Sequence, residues 1–176
     1  MAAQTALVAL VALGNAAAQS VAPMTDLAYA WPNDLLLNQR KAAAVTLHGG
    51  RDEDGDWLVV GANLNLADEP DPLGLGAASL RSEGQADLTA PEFLERYSRQ
   101  FLAWLNRWAD EGMAPVHRAW LGRAHGLGAP WGGETVPGTP RPVLREVRED
   151  GAAVLTDPAG GDQPLSLAAA FGLEAR

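Results

Sequence analysis

The sequence predicts an α+β fold, a mixed and mostly antiparallel sheet with packed helices, followed by a small β-rich C-terminal unit. Three observations predict it. Between positions 26 and 66, short apolar runs alternate with turn-forming residues, which is the signature of a meander. Between Thr89 and Gly112 a single long segment repeats apolar residues at helical spacing. After a Gly/Pro-rich connection at 126–142, two short strand-like runs flank Asp150-Gly151, a hairpin turn signal.

At 176 residues, with 47% apolar and 20% charged residues, the chain has the composition of an ordinary globular protein with enough apolar material for a core. It carries 13 Lys and Arg against 22 Asp and Glu, a formal net charge of −9. That balance argues against autonomous nucleic-acid binding, which depends on cations facing phosphates. With no cysteine, disulfides, thiolate metal sites and cysteine nucleophiles are excluded. His48, His117 and His125 lack the close pairing of a metal-binding helix, so no bound transition metal is expected.

The first element admits two readings. Ala6 to Leu13 is apolar, and Ala16-Ala17-Ala18 before Gln19 has the small residues of a signal-peptide cleavage site. No Lys or Arg precedes Arg40, and the run is too short to span a bilayer. An Ala-rich buried helix, with Gly14-Asn15 as a break, is the preferred reading, and it goes with a cytoplasmic protein that has no membrane partner.

Asp26 to Trp31 then reads as a short strand stopped by Pro32. Leu35 to Leu37 is an apolar run ending in a tight turn at Asn38-Gln39-Arg40, and Lys41 to Leu47 is the next strand. Gly49 to Asp56 is charged and Gly-rich, so a solvated hairpin loop is expected there. Trp57 to Leu66 begins as a buried strand, and 67–87, rich in Pro and Gly, is loop. Thr89 with Glu92 fits a capping box and Pro91 a first-turn position. The stripe Phe93, Leu94, Tyr97, Phe101, Trp104, Leu105 and Trp108 is expected to face the core. His117 to His125 reads as one more short helix. Val143–Val147 and Ala152–Thr156 form the hairpin, with a further strand at Gln163–Leu167.

The chemistry concentrates in two places. Asn33-Asp34 interrupts two apolar strands, and Lys41 opens the strand that follows. In a meander the start of one strand lies beside the end of its neighbour, so Asn33, Asp34, Lys41 and Asn65 can share one rim. Such a rim can take a carboxylate and a phosphate, with Asp34 orienting the lysine or holding a metal ion. On residue types alone, a solvated turn after proline explains the same pattern.

The wording of these segments is more specific. Trp31-Pro32-Asn33-Asp34, then Arg40-Lys41-Ala42-Ala43-Ala44-Val45, then Gly61-Ala62-Asn63-Leu64-Asn65, resembles the biotin–protein ligase (biotin/lipoate A/B protein ligase) family. Its Trp-Pro-Asn-Asp, Lys-Leu-Ala-Gly-Ile and Gly-x-Gly-x-Asn blocks occur in this order at similar spacing. The resemblance implies a ligase-like core at 1–125 and a small β-barrel-like C-terminal domain at 126–176. It implies ATP and Mg as co-substrates, biotin or a related acid as substrate, and a biotin or lipoyl carrier protein domain as partner, with homodimers known among relatives. Carried over, Lys41 is the catalytic lysine at the carboxylate and α-phosphate. Trp31, Asn33, Asp34, Gly61 and Asn65 become substrate- and nucleotide-binding residues, and Asp34 stands nearest the magnesium.

The sequence also departs from the pattern. Ala30 replaces the lysine that precedes Trp-Pro, Ala44 replaces the glycine of the lysine block, and Asn63 replaces the second glycine of Gly-x-Gly. A side chain where a ligand nears the backbone narrows a site, which points to altered acid recognition, lipoate included. The upstream Gly-Arg-Gly-Arg loop of the family is absent, and thirty residues precede Trp31. Two expectations follow: a ligase whose start lies upstream of Met1, or a non-catalytic relative that binds a carrier protein or a small acid.

Overall fold

The computed structural model describes residues 2–70, 76–85, 87–132 and 140–173. Helix α1 (Thr5–Ala18) is the centre of the molecule, with twelve of its fourteen residues buried. It is apolar on every side, as a helix enclosed by other elements must be. Leu7, Val8, Leu10, Val11 and Leu13 are each at most 1% exposed. Each such side chain contributes roughly 1.5–3 kcal/mol of burial free energy. The apolar N-terminal run is thus a core helix in this fold. It does not break at Gly14-Asn15. Gly14 is there because the Tyr29 ring lies against it, so close that a Cβ would sit 2.2 Å from the phenolic oxygen.

One face of a five-stranded sheet packs on α1. Its strands are β1 (Leu27–Ala30), β2 (Asp34–Leu37), β3 (Arg40–Asp52), β4 (Gly55–Leu64) and β5 (Ala124–His125), in the order β4-β3-β2-β1-β5. All neighbours are antiparallel except β1 and β5, which are parallel. Tyr29, Leu35, Leu37, Ala43, Val45 and Leu47 supply the core side of this sheet. Asn38 and Gln39, both with positive φ (48° and 64°), make the β2–β3 turn, where asparagine is among the residues that tolerate the left-handed region best. The Trp31–Pro32 peptide between β1 and β2 is cis.

Four expectations for this part of the chain are corrected. The segment 49–56 is not an open loop, because β3 continues to Asp52 and β4 starts at Gly55, leaving Glu53-Asp54 as the turn. Backbone pairing carries the ribbon beyond the core, and Arg51 and Asp56, directly opposite each other, form an ion pair at 2.6 Å. The start of β4 is buried on one side only: Leu58 and Val60 pack against the core, while Trp57 (45% exposed) and Val59 (54%) alternate onto the face turned away from α1. The third helix, α3 (Ala114–Leu121), begins earlier than expected, and the residues after it form β5. A two-residue strand carries no periodicity for the sequence to reveal.

Helix α2 (Ala90–Glu111) starts as expected. The Thr89 backbone N–H donates to Glu92 Oε2 at 2.9 Å and its hydroxyl to the same oxygen at 2.7 Å. These bonds, the hydroxyl's first, hold the Glu92 carboxyl below the usual carboxylate range. Of its apolar stripe only Phe93 is fully buried, while Tyr97, Phe101, Trp104, Leu105 and Trp108 are half-covered against the core. Leu94 falls outside the packed stripe at 61% exposure, because it is one residue, about 100°, round the helix from Phe93.

The C-terminal segment forms a second, three-stranded antiparallel sheet, β6 (Val143–Val147), β7 (Ala153–Asp157) and β8 (Gly161–Leu165), closed by the short α4 (Leu167–Ala170). Leu144, Val147, Ala153 and Leu155 join the same apolar cluster as α1. The expected connection at 126–142 lies partly outside the described residues. No helix among the described residues is long and apolar enough to cross a membrane.

Candidate functional site

The face of the sheet turned away from α1 carries the polar residues. Residues directly opposite each other in antiparallel strands share a face. Ala30 pairs with Asp34, Asp34 with Ala44, and Ala44 with Asn63, so these four form one row across β1 to β4. Strict alternation would put Lys41 on the core face with Ala43 and Val45. It does not lie there, because the β2–β3 register shifts: Leu35 faces Ala43 but Leu36 faces Lys41. The extra residue, Ala42, is a β-bulge, and a bulge re-aims the side chain beside it. Lys41 is thereby turned onto the face of Asp34, and its Nζ lies 2.7 Å from Asp34 Oδ1.

This ion pair is open to solvent on the lysine side. The Lys41 side chain is 55% exposed and that of Asp34 28%, although Asp34 Oδ1 itself is shielded from water. A pair this exposed contributes about 0–1 kcal/mol to stability. Its chemical capacity is larger, since an ammonium held in place by a carboxylate can bind an arriving carboxylate or phosphate oxygen.

Two asparagines frame the pair from the backbone. Asn33 Nδ2 donates to the Val45 carbonyl at 2.7 Å, and the Val45 N–H donates to the Asn33 carbonyl at 3.0 Å. Asn65 Nδ2 donates to the Ala78 carbonyl at 3.0 Å, while the Asn65 N–H donates to the Ala42 carbonyl at 2.8 Å. The structure therefore brings Asp34 and Lys41 together, while Asn33 and Asn65 stand at opposite ends of the β3 stretch 42–45, each amide spending its donor on the backbone. Gly61 lies on the same face further along β4, opposite Thr46. A Cβ there would meet Thr46 Oγ1 at 2.5 Å.

Trp31 is placed elsewhere. Its side chain is 5% exposed, its Nε1 donates to the Gly151 carbonyl at 3.0 Å, and its ring packs on Trp131 at a centroid distance of 5.5 Å. It ties the first sheet to the second. Tyr29, next along β1, is buried, and burial pushes its phenol up to about 12.

One polar cluster has no counterpart in the sequence reading. The Glu83 side chain, only 7% exposed, accepts from Arg40 Nη2 at 2.9 Å and from Asn38 Nδ2 at 2.6 Å. Arg40 also donates through Nη1 to the Ala77 carbonyl at 3.0 Å. Beside it, the Ser82 hydroxyl first, then Ser79 and Arg40, hold the Glu69 carboxyl below its ordinary range. A lone glutamate between Ser82 and Gly84 in a Gly/Pro-rich stretch gives no signal of burial. Among the described residues no group of three His, Asp or Glu is spaced to hold a metal ion.

Residues 1–122 match the model of the biotin/lipoate A/B protein ligase family. A biotin–[acetyl-CoA-carboxylase] ligase from Paracoccus denitrificans is 34% identical over 165 residues, covering 90% of this chain and 69% of that protein. Among solved structures, a biotin protein ligase-like protein of unknown function from Silicibacter sp. TM1040 is similar over 99% of this chain and 74% of its own, at 28% identity and a TM-score of 0.78. The biotin protein ligase of Aquifex aeolicus, solved without ligand, shares the fold at 18% identity and a TM-score of 0.74, covering 92% of this chain and 71% of its own.

Proposed function

Because the chain belongs to the biotin/lipoate A/B protein ligase family, we propose that its site activates a carboxylic acid with ATP and passes the acyl group to a lysine of a carrier protein. The observation that carries this reading is the bulge at Ala42, which puts Lys41 on the polar face against Asp34. A lysine made to leave the core side of a strand and held at 2.7 Å by a carboxylate is built to meet an anion.

In the first step a carboxylate oxygen attacks the α-phosphorus of ATP, the bond to the bridging oxygen breaks, and pyrophosphate departs. Both reactants are anions, and charge accumulates on the α-phosphoryl oxygens as they meet. Lys41 offsets that charge, the kind of electrostatic stabilisation that supplies most of the catalysis in phosphoryl transfer. In the second step the carrier lysine's neutral amine attacks the acyl carbon, an amide forms, AMP leaves and the amine gives up a proton. Asn33 and Asn65 shape the nucleotide side of the site, and Gly61 makes room for the Thr46 hydroxyl on the same face. Trp31, two residues before Asn33, anchors the start of β2 to the second sheet through the Gly151 carbonyl.

Magnesium would enter with ATP as part of the substrate. Asp34 fits it as a single carboxylate ligand, since Mg²⁺ usually takes one or two carboxylates and completes its shell with phosphate and water. The acid is biotin or a related acyl acid, and the partner is a biotin or lipoyl carrier domain. The test is ATP–pyrophosphate exchange on the purified chain, with biotin and lipoate in parallel. Exchange that depends on one acid supports the reading and names the acid. No exchange with either acid, from a chain that binds neither of them nor ATP in calorimetry, would overturn it.

A further inference from the structure

We propose that Glu83 is a positioning residue for Lys41, acting through Arg40 and the segment at 77–78, an inference that rests on the catalytic reading of Lys41. The first observation is its burial. A carboxylate with 7% side-chain exposure has lost nearly all its water, which is unfavourable unless charged and hydrogen-bonding partners replace it. Glu83 has both: the Arg40 guanidinium at 2.9 Å and the Asn38 amide at 2.6 Å.

The second observation is where those partners sit. Arg40 is the residue before Lys41, and Asn38 forms the turn before Arg40, held there with φ of 48°. The Asn38 Oδ1 also accepts the Asp26 N–H at 3.0 Å, so the turn is tied on both sides. Glu83 thus grips the chain at two points immediately upstream of the lysine.

The third observation closes the circle. Arg40 Nη1 donates to the Ala77 carbonyl, and the next residue, Ala78, donates its N–H to the Lys41 carbonyl at 3.0 Å. Ala77 pairs with Lys41 as an isolated parallel bridge. The same segment receives the Asn65 amide on the Ala78 carbonyl and sends the Leu80 N–H to the Asn65 carbonyl at 3.0 Å. Glu83 therefore anchors a strap that fixes the Lys41 backbone from its carbonyl side while Arg40 fixes it from its amide side. A bulge is a locally unpaired stretch of strand, and this bulge sets the face on which Lys41 stands. Without the strap the lysine keeps its charge but loses its defined place, and a displacement of about 1 Å at a reacting centre can cost on the order of 10²-fold in rate.

The test uses the full chain with Glu83→Gln and Arg40→Lys. The first removes the charge, and the second keeps a cation but cannot reach both Glu83 and the Ala77 carbonyl as a fork does. Two readouts are taken well below the melting temperature of each variant. Amide hydrogen exchange at Ala78 should speed up at least tenfold in both variants, while amides of α1 stay protected. In ATP–pyrophosphate exchange, kcat should fall about tenfold or more with KM for ATP and acid within about threefold, and Glu83→Asp should recover part of the loss. Unchanged Ala78 exchange in folded variants, or a kcat that does not move, overturns the inference. If the unmodified chain activates no acid, the ligase reading fails by itself, and the Ala78 measurement still decides whether Glu83 holds the strap. Should Glu83→Gln not fold, Arg40→Lys alone decides both readouts.

Discussion

Replacing Gly14 by Ala sets local propensity against packing. In an isolated helix this change stabilises by about 1 kcal/mol, since glycine is the poorest helix former after proline. In this molecule the new Cβ would lie 2.2 Å from the Tyr29 oxygen, 2.6 Å from Cε1 and 2.7 Å from Cζ. The closest of these is roughly 1.2 Å inside the 3.4 Å at which ordinary contact begins. The ring is 1% exposed and cannot swing into solvent, so either it or α1 must move within a packed core. Overpacking of this kind costs typically 1–3 kcal/mol. Since the contact involves three ring atoms, we take the upper part of that range, for a net loss of about 1–2 kcal/mol. For a domain of this size that lowers Tm by roughly 2–8 °C. Thermal and urea denaturation of Gly14→Ala, of Tyr29→Leu and of the double variant measure it. The double variant should be at least 1 kcal/mol more stable than the sum of the singles requires, because the smaller side chain leaves room for the methyl. A rise in Tm for Gly14→Ala alone would refute the close approach of α1 and β1.

Other outcomes follow from the same structure. Trp31→Phe leaves the Gly151 carbonyl without its indole donor and should cost about 1–3 kcal/mol in urea denaturation; lost ligand binding with unchanged stability would place Trp31 in the site instead. The Tyr29 phenol titrates near 12 in the folded chain against about 10 unfolded, so its contribution is intact below pH 10 and lost as pH rises from 10 towards 12. At 1.36 kcal/mol per unit the loss approaches about 3 kcal/mol, and Tyr29→Phe should make that part of the stability–pH curve less steep, leaving the slope that Tyr97, also pushed up to about 12 by burial, contributes. Asn63→Gly and Ala44→Gly clear the row beside Asp34 and should raise kcat/KM for the bulkier acid relative to a slim one about tenfold, read by pyrophosphate exchange. A ratio that stays within twofold would mean that these side chains do not face the acid.

Much of the fold was legible because burial and periodicity coincide. The capping box at Thr89, the alternation in β1 and β3, and the Asp150-Gly151 hairpin all act locally, so neighbouring residues carry the signal. What escaped depends on contacts distant in sequence. Gly14 looked like a helix break because its partner, Tyr29, is fifteen residues away. The ribbon at 49–56 looked like a loop because its residues are charged, yet pairing with its partner strand holds it extended. The site was legible as a set of residues and not as an arrangement. Of Asn33, Asp34, Lys41 and Asn65, expected at one rim, Asp34 and Lys41 meet, while Asn33 and Asn65 bond to the β3 backbone at Val45 and Ala42, at opposite ends of that stretch. The bulge that turns Lys41 outward is a property of register and leaves no mark in composition. Glu83 was invisible for the same reason, since its partners are more than forty residues upstream.

The central claim is that Lys41, placed by the bulge and held by Asp34, carries the activation of an acid by ATP. The measurement that tests it most directly is acid-dependent ATP–pyrophosphate exchange by the chain and its Lys41→Ala variant, with urea denaturation of both. The account predicts exchange in the unmodified chain, a loss of at least 10²-fold in the variant, and stabilities within about 1 kcal/mol of each other. Exchange retained at the original rate in a folded Lys41→Ala variant would contradict it.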